Sequence, residues 1–349
     1  MRSYRNKAPK NIVICMDGTG QGFGGGKFPT NVFKLYNMLD DRGPKQIAFY
    51  DNGVGARRLD LRGKVMGTGI SKKLCRAYEF IFERFVNGDH IFLFGFSRGA
   101  ATVALLAEFL HLFGVLPAGH KELIPKAYSI FDIKHPGKRR GQARFFHSMH
   151  RTMWCRVPFM GVWDTVLARG LPIQYVDQLP RLFGLFGSGY KFYRPNLPAC
   201  VSSCYHALAI DDERKIFHPR IWSPKILPNQ SMKQVWFCGM HTDVGGGYPE
   251  SALSDITLKW MIKNAVRHGL RIDRGHGIRL TPESNGWMED SRAGVSRLYA
   301  RKPRSWDLGI YGKPRVHASV LERRLNRHNE VMPPYAPWIL DSDYEVEPR

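Results

Sequence analysis

The sequence predicts an α/β fold built on a doubly wound, mostly parallel sheet, and three observations predict it. Five short apolar runs read as buried strands, amphipathic helical patterns separate the first three of them, and each run passes at once into polar or glycine residues. Buried parallel strands carry near-continuous apolar runs because helices cover both faces of their sheet. Alternating strand and helix winds such a sheet. Ligands then bind beyond the carboxyl ends of the strands, so "DGTGQ", "DNGVG", "GFSRGA", "DTV" and "GMHTDVGGGY" are expected to meet along one edge.

In chain order, "NIVICM" (11–16) is the first strand, and "TNVFKLYNMLDD" follows with Val32, Leu35, Tyr36 and Leu39 on one helical face. "QIAFY" (46–50) is the second strand. "SKKLCRAYEFIFERFV" is a helix with Leu74, Tyr78, Ile81, Phe82 and Phe85 inward and Ser71 as its cap. "HIFLF" (90–94) leads through Gly95 to Ser97 and into the apolar helix "AATVALLAEFLHLF". Glu108 and His111 interrupt that apolar stretch, which makes it a buried helix rather than a membrane span. "FMGVW" (159–163) and "QVWFC" (234–238) complete the strands. Residues 170–232 show no such alternation, and "LPRLFGLFGSGYKFYRPNLP" is rich in aromatics, Gly and Pro. This region is expected to be a lid or binding insertion, or a satellite cluster on the core, within one domain spanning 1–349. The tail "DSDYEVEPR" is expected to fray.

At 349 residues and 43% hydrophobic, the chain can bury a core large enough for an enzyme. Its 52 Lys and Arg against 30 Asp and Glu give a formal charge of +22, which favours anionic partners such as a phospholipid surface. The basic stretches "KHPGKRRGQAR", "RKPR" and "KPRVHASVLERRLNRH" read either as solvated faces or as that contact. No recognised nucleic-acid motif surrounds them, so nucleic acid is not an expected partner. Oligomeric state is not legible. Six cysteines occur without a CxxC pair, as buried small hydrophobes in a reducing compartment. The N-terminus has only a short apolar patch, unlike a secretory signal. A cytoplasmic location is expected, with secretion by a signal-independent route left open.

The chemistry centres on Ser97. A GxSxG match with a strand before it and a helix after it is a nucleophile elbow, the strained turn that presents a serine at the top of a sheet. The serine needs an imidazole to take its proton, and the imidazole needs a carboxylate to fix its tautomer. Asp164 in "GVWDTV" and His241 in "CGMHTDVGGGY" stand at later strand ends, in the chain order Ser, acid, His. His206 is the rival base, while Asp243, Asp17 and Asp51 are rival acids. Asp243 reads better as shaping the loop after His241, and Asp17 as holding the loop after the first strand. For the oxyanion, Arg98 supplies the N–H after the nucleophile, and Gly18, Thr19 or Gly20 supplies a second donor.

This reading requires no cofactor and no metal. Two other classes compete with it. Asp17, Asp164 and Asp243, with His241, could instead hold a divalent cation for phosphoester hydrolysis. The basic surface could belong to a non-catalytic module for anionic surfaces.

The chain resembles the family of uncharacterised α/β-hydrolase domains that includes the phospholipase effectors of bacterial type VI secretion. The matching stretches are "DGTG", "TNVFKL", "YDNGVG", "GFSRGAA", "GVWDTV", "HALAIDDER", "HTDVGGGY" and "VHASVLERR", in the family's order from residue 11 to about 325. The chain departs from the family at Gly20 and Gln21, where Trp and Asn are common, and in lacking an arginine common in the helix after the nucleophile. The resemblance implies an α/β-hydrolase fold, a Ser97–Asp164–His241 triad, and a serine hydrolase of carboxylic esters, with a phospholipid or other ester as substrate.

Overall fold

A computed structural model of the chain describes residues 8–18, 28–52, 69–166, 196–325 and 334–349. The strands are β1 (Asn11–Met16), β2 (Gln46–Asp51), β3 (His90–Phe96), β4 (Arg156–Trp163), β5 (Ser203–Ala209), β6 (Ser231–Phe237), β7 (Arg315–His317) and β8 (Glu345–Glu347). They form one sheet in the order β2-β1-β3-β4-β5-β6-β7-β8, each neighbouring pair parallel. The chain winds outward from β1 to β2 on one side and from β1 to β3 on the other. The switch falls between β1 and β3, where Met16 is in register with Gly95. With the five expected strands present and helices on both faces, the fold is α/β-hydrolase-like.

Helices α1 (Asn31–Met38) and α7 (Ala252–Arg267) cover one face, while α2 (Gly69–Arg84), α3 (Arg98–Phe113), α4 (Leu123–Phe131) and α5 (Pro136–His150) cover the other. Their inward stripes are those the sequence marks: Val32, Leu35 and Leu39 on one side, and Leu74, Tyr78, Ile81, Phe82 and Phe85 on the other, all buried. Burying each such large apolar side chain contributes roughly 1.5–3 kcal/mol. Thr30 caps α1 by accepting from Phe33 N–H at 3.1 Å. Rings tie the central strands together, with Phe159 stacked on Tyr205 at 5.0 Å and Phe94 5.6 Å from Phe159.

Several expectations need correction. Helix α2 begins at Gly69, so Ser71 lies inside it and does not cap it. Within the region 170–232, residues 196–232 carry the fully buried strand β5, "SCYHALA", which sits between β4 and β6. Strand β5 is thus sheet core rather than lid. Residues 167–195, with most of the aromatic stretch, lie outside the described residues. The tail does not simply fray: Glu345–Glu347 pairs as β8, and buried Glu347 accepts from Lys233 Nζ at 2.8 Å and Trp260 Nε1 at 3.1 Å. Among the described residues no helix is long and apolar enough to cross a membrane, and all six cysteines are buried and free.

Candidate active site

Ser97 stands between the end of β3 and the start of α3 with φ 58° and ψ −123°. Positive φ on a residue with a side chain costs on the order of 1–3 kcal/mol, and the surroundings hold it there. Ser97 N–H donates to Trp163 O at 3.0 Å, and Ser97 O accepts from Ala101 N–H at 3.3 Å. Two glycines make the turn possible. A Cβ at Gly99 would lie 2.0 Å from Met16 O, and one at Gly95 would lie 2.7 Å from the Ala100 backbone. The elbow is therefore wedged against the end of β1.

Asp164 follows β4 directly, also at positive φ (36°), and is fully buried. Its Oδ2 lies 2.6 Å from His241 Nδ1. A carboxylate can only accept, so Nδ1 carries the proton and Nε2 is left as the basic nitrogen. His241 opens the short helix α6 (His241–Gly245) after β6. Its ring is held between Phe96, 4.6 Å away, and Phe217, 4.9 Å away. Phe96 is the residue before Ser97, so one side chain ties the serine turn to the imidazole. Gly245 and Gly18 let that ring sit there, since a Cβ would meet it at 2.0 Å and 3.3 Å respectively.

The other candidate residues occupy separate positions. His206, on β5, accepts from Thr165 N–H through Nε2 at 3.1 Å, and burial pushes its imidazole down to about 4. It buttresses the turn after Asp164. Asp243 accepts from Met240 N–H at 3.0 Å and Glu289 N–H at 3.2 Å, capping α6, and burial raises its carboxyl to about 7. Asp17 accepts from Thr30 Oγ1 (2.6 Å), Tyr50 OH (2.7 Å) and Gly18 N–H (2.7 Å), and burial raises it to about 6. Asp51 pairs with Lys73 and Arg76.

The Gly18 N–H donates to Asp17 Oδ1 at 2.7 Å. Thr19 and Gly20 lie outside the described residues. Arg98 is the first residue of α3, at the positive end of the helix dipole.

Sequence reasoning missed the residues that clamp the acid. Arg304, in the "RKPR" expected to be an exposed basic face, has a fully buried side chain. Its Nη1 donates to Asp164 Oδ1 at 3.1 Å, its Nη2 to Asp164 Oδ2 at 2.9 Å, and its Nε to Asp212 O at 3.0 Å. Ala209 N–H adds a bond to Asp164 Oδ1 at 3.1 Å. Burial opposes charge on Asp164, but Arg304 and the His241 hydrogen bond hold its carboxyl far below the usual range. Asp212 accepts from His241 N–H at 3.2 Å and pairs with Arg214 Nη2 at 2.6 Å. The Arg214 guanidinium lies 4.0 Å over the Phe217 ring. "IDDER" carried a signal for this second pair, a carboxylate and an arginine two residues apart after a strand. No local signal marks Arg304, which is 140 residues from its partner.

The model of the T6SS phospholipase effector Tle1-like catalytic domain matches residues 10–264. An uncharacterised protein of Saccharomyces cerevisiae, YEL023C, is 29% identical over 324 residues, 83% of this chain and 44% of that protein. The chain thus spans less than half the length of this relative. Among solved structures, an uncharacterised protein from Pseudomonas aeruginosa superposes with TM-score 0.45 at 16% identity, over 76% of this chain and 46% of that one. The Tle1 effector bound to the VgrG spike of the type 6 secretion system superposes at 0.37, with 16% identity over 69% and 52% of the two chains.

Proposed function

The chain belongs to the family of Tle1-like phospholipase effector catalytic domains, and on that premise we propose that it is a serine hydrolase of carboxylic esters, acting on phospholipids or related lipids through Ser97, His241 and Asp164. The observation that carries this reading is the buried 2.6 Å contact of His241 Nδ1 with Asp164, packed through Phe96 against a serine at positive φ.

His241 Nε2 takes the Ser97 hydroxyl proton as Oγ attacks the ester carbonyl, and negative charge develops on the carbonyl oxygen. The Arg98 N–H, at the positive end of α3, is placed to stabilise that charge, together with a donor from the loop after β1. Collapse expels the alcohol, which takes its proton from His241, and leaves an acyl-Ser97 ester. Water, deprotonated by His241, then releases the acid and restores the serine. Asp164 holds the proton-bearing Nδ1 toward itself throughout and stabilises the imidazolium.

The reading of a divalent cation held by Asp17, Asp164 and Asp243 is disfavoured by how these carboxylates are used. Asp164 faces a guanidinium, which repels a cation, and the other two are committed to N–H and O–H donors. The charge of +22, with Lys134, Lys138, Arg140 and Arg144 exposed, supports contact with anionic lipid.

The test is hydrolysis of defined phospholipid vesicles and of a soluble acyl ester, with products resolved by mass spectrometry. The wild type is expected to release free fatty acid from at least one of them, and Ser97→Ala none. Release of a phosphorylated headgroup with the acyl ester intact, lost on adding a chelator, contradicts the proposal.

A further inference from the structure

We propose that Arg304 is a positioning residue for the reaction: it fixes the rotamer of Asp164 and offsets part of the charge that this aspartate turns toward His241. The inference rests on the triad reading above.

The geometry bears on both halves. The Arg304 guanidinium approaches Asp164 as a fork, one nitrogen on each carboxylate oxygen, while Nε anchors it to Asp212 O. A bidentate fork sets the plane of a carboxylate as a point charge cannot. With Ala209 N–H also on Oδ1, the remaining direction of Oδ2 is the one His241 Nδ1 takes. The carboxylate therefore cannot turn away from the imidazole without breaking bonds to a side chain that is itself fully buried.

The charge argument follows from the same contacts. An unaccompanied buried aspartate raises the proton affinity of its histidine, and a cation on the same carboxylate reduces that effect. Other charged groups face the pair. Asp212, paired with Arg214, bonds the His241 backbone and not its ring. His206 is engaged with Thr165 N–H, Asp243 with the α6 cap and Asp211 with Gly239 N–H and Tyr335 OH. His218 lies near enough to feel the Arg304 charge. None of these hydrogen bonds to the Asp164 carboxylate among the described contacts, whereas Arg304 does. It arrives from the segment after α7, beyond the residues that the family model matches.

The experiment measures kcat/KM against pH for the full chain and two variants, with turnover normalised to the fraction of sites that a fluorophosphonate labels at completion. Arg304→Gln is expected to lower normalised kcat/KM by at least about a hundredfold and to move the acidic limb upward by about one pH unit or more, because Asp164 then faces the imidazole without its counter-charge. Arg304→Lys keeps the charge and loses the fork. It is expected to leave the limb within about half a unit of wild type while normalised kcat/KM falls at least tenfold.

An Arg304→Gln limb that coincides with wild type overturns the inference. If that variant does not fold, wild-type normalised turnover in Arg304→Lys overturns it. Ser97→Ala separates the two levels. If that variant retains turnover the triad reading itself fails, whereas if it is inactive and the limb does not move, only the role of Arg304 fails.

Discussion

At the scale of single residues, the site is a set of buried polar groups whose bonds dictate their roles. His241→Ala is expected to fold and to lose several orders of magnitude in kcat, since members of a triad act as a unit. Asp164→Asn is expected to lose on the order of ten-thousandfold in kcat, because the amide favours the wrong imidazole tautomer. It should also lower the melting temperature by leaving the Arg304 guanidinium buried against a neutral partner. Steady-state kinetics with thermal melts checks both. Asp243 makes a separate prediction about pH. Burial holds its folded carboxyl at about 7, above its value in the unfolded chain. The raised value means that the unfolded state ionises first, so this group's contribution to stability is full at low pH and is lost as pH rises toward and through 7. Melting temperature measured from pH 5 to 8 should fall less for Asp243→Asn than for wild type. An identical slope would show that Asp243 is not the titrating group.

At the scale of elements, the elbow works because β1, β3 and α3 approach too closely for a side chain at Gly99. Gly99→Ala places a methyl 2.0 Å from Met16 O and is expected to destabilise the fold severely. Gly245→Ala meets instead the buried Phe96 ring that packs on His241. Its expected signature is a loss of kcat larger than its loss of melting temperature would explain, measured on the same preparations. Strands β1, β2, β3, β4 and β6 were legible because each carries an uninterrupted apolar run. Strand β5 was not, since Ser203, Tyr205 and His206 break the run although all three are buried. Strands β7 and β8, at three residues each, are too short to show a period. Gly18 reads correctly as part of a loop at the site, but only the structure shows that its N–H is taken by Asp17.

At the scale of the whole molecule, the sheet edge that the sequence pointed to does gather Ser97, Asp164 and His241, because parallel strands in register bring their carboxyl ends together. The support for that edge comes from far along the chain. Arg304, β7, β8 and the apolar cluster of Trp236, Val316 and Ile339 all draw on residues after 264. A charged side chain with a partner 140 positions away leaves no periodic trace, which is why Arg304 read as part of a basic surface. A chain ended at residue 264 is accordingly expected to be inactive, checked by expressing it beside the full chain under the same ester assay. That Ser97 is the nucleophile of an ester hydrolase can be read from intact-mass analysis and peptide mapping after reaction with a fluorophosphonate. One adduct is expected, on Ser97, abolished in Ser97→Ala and slowed in His241→Ala. An unmodified Ser97 in protein that is actively hydrolysing ester would contradict it.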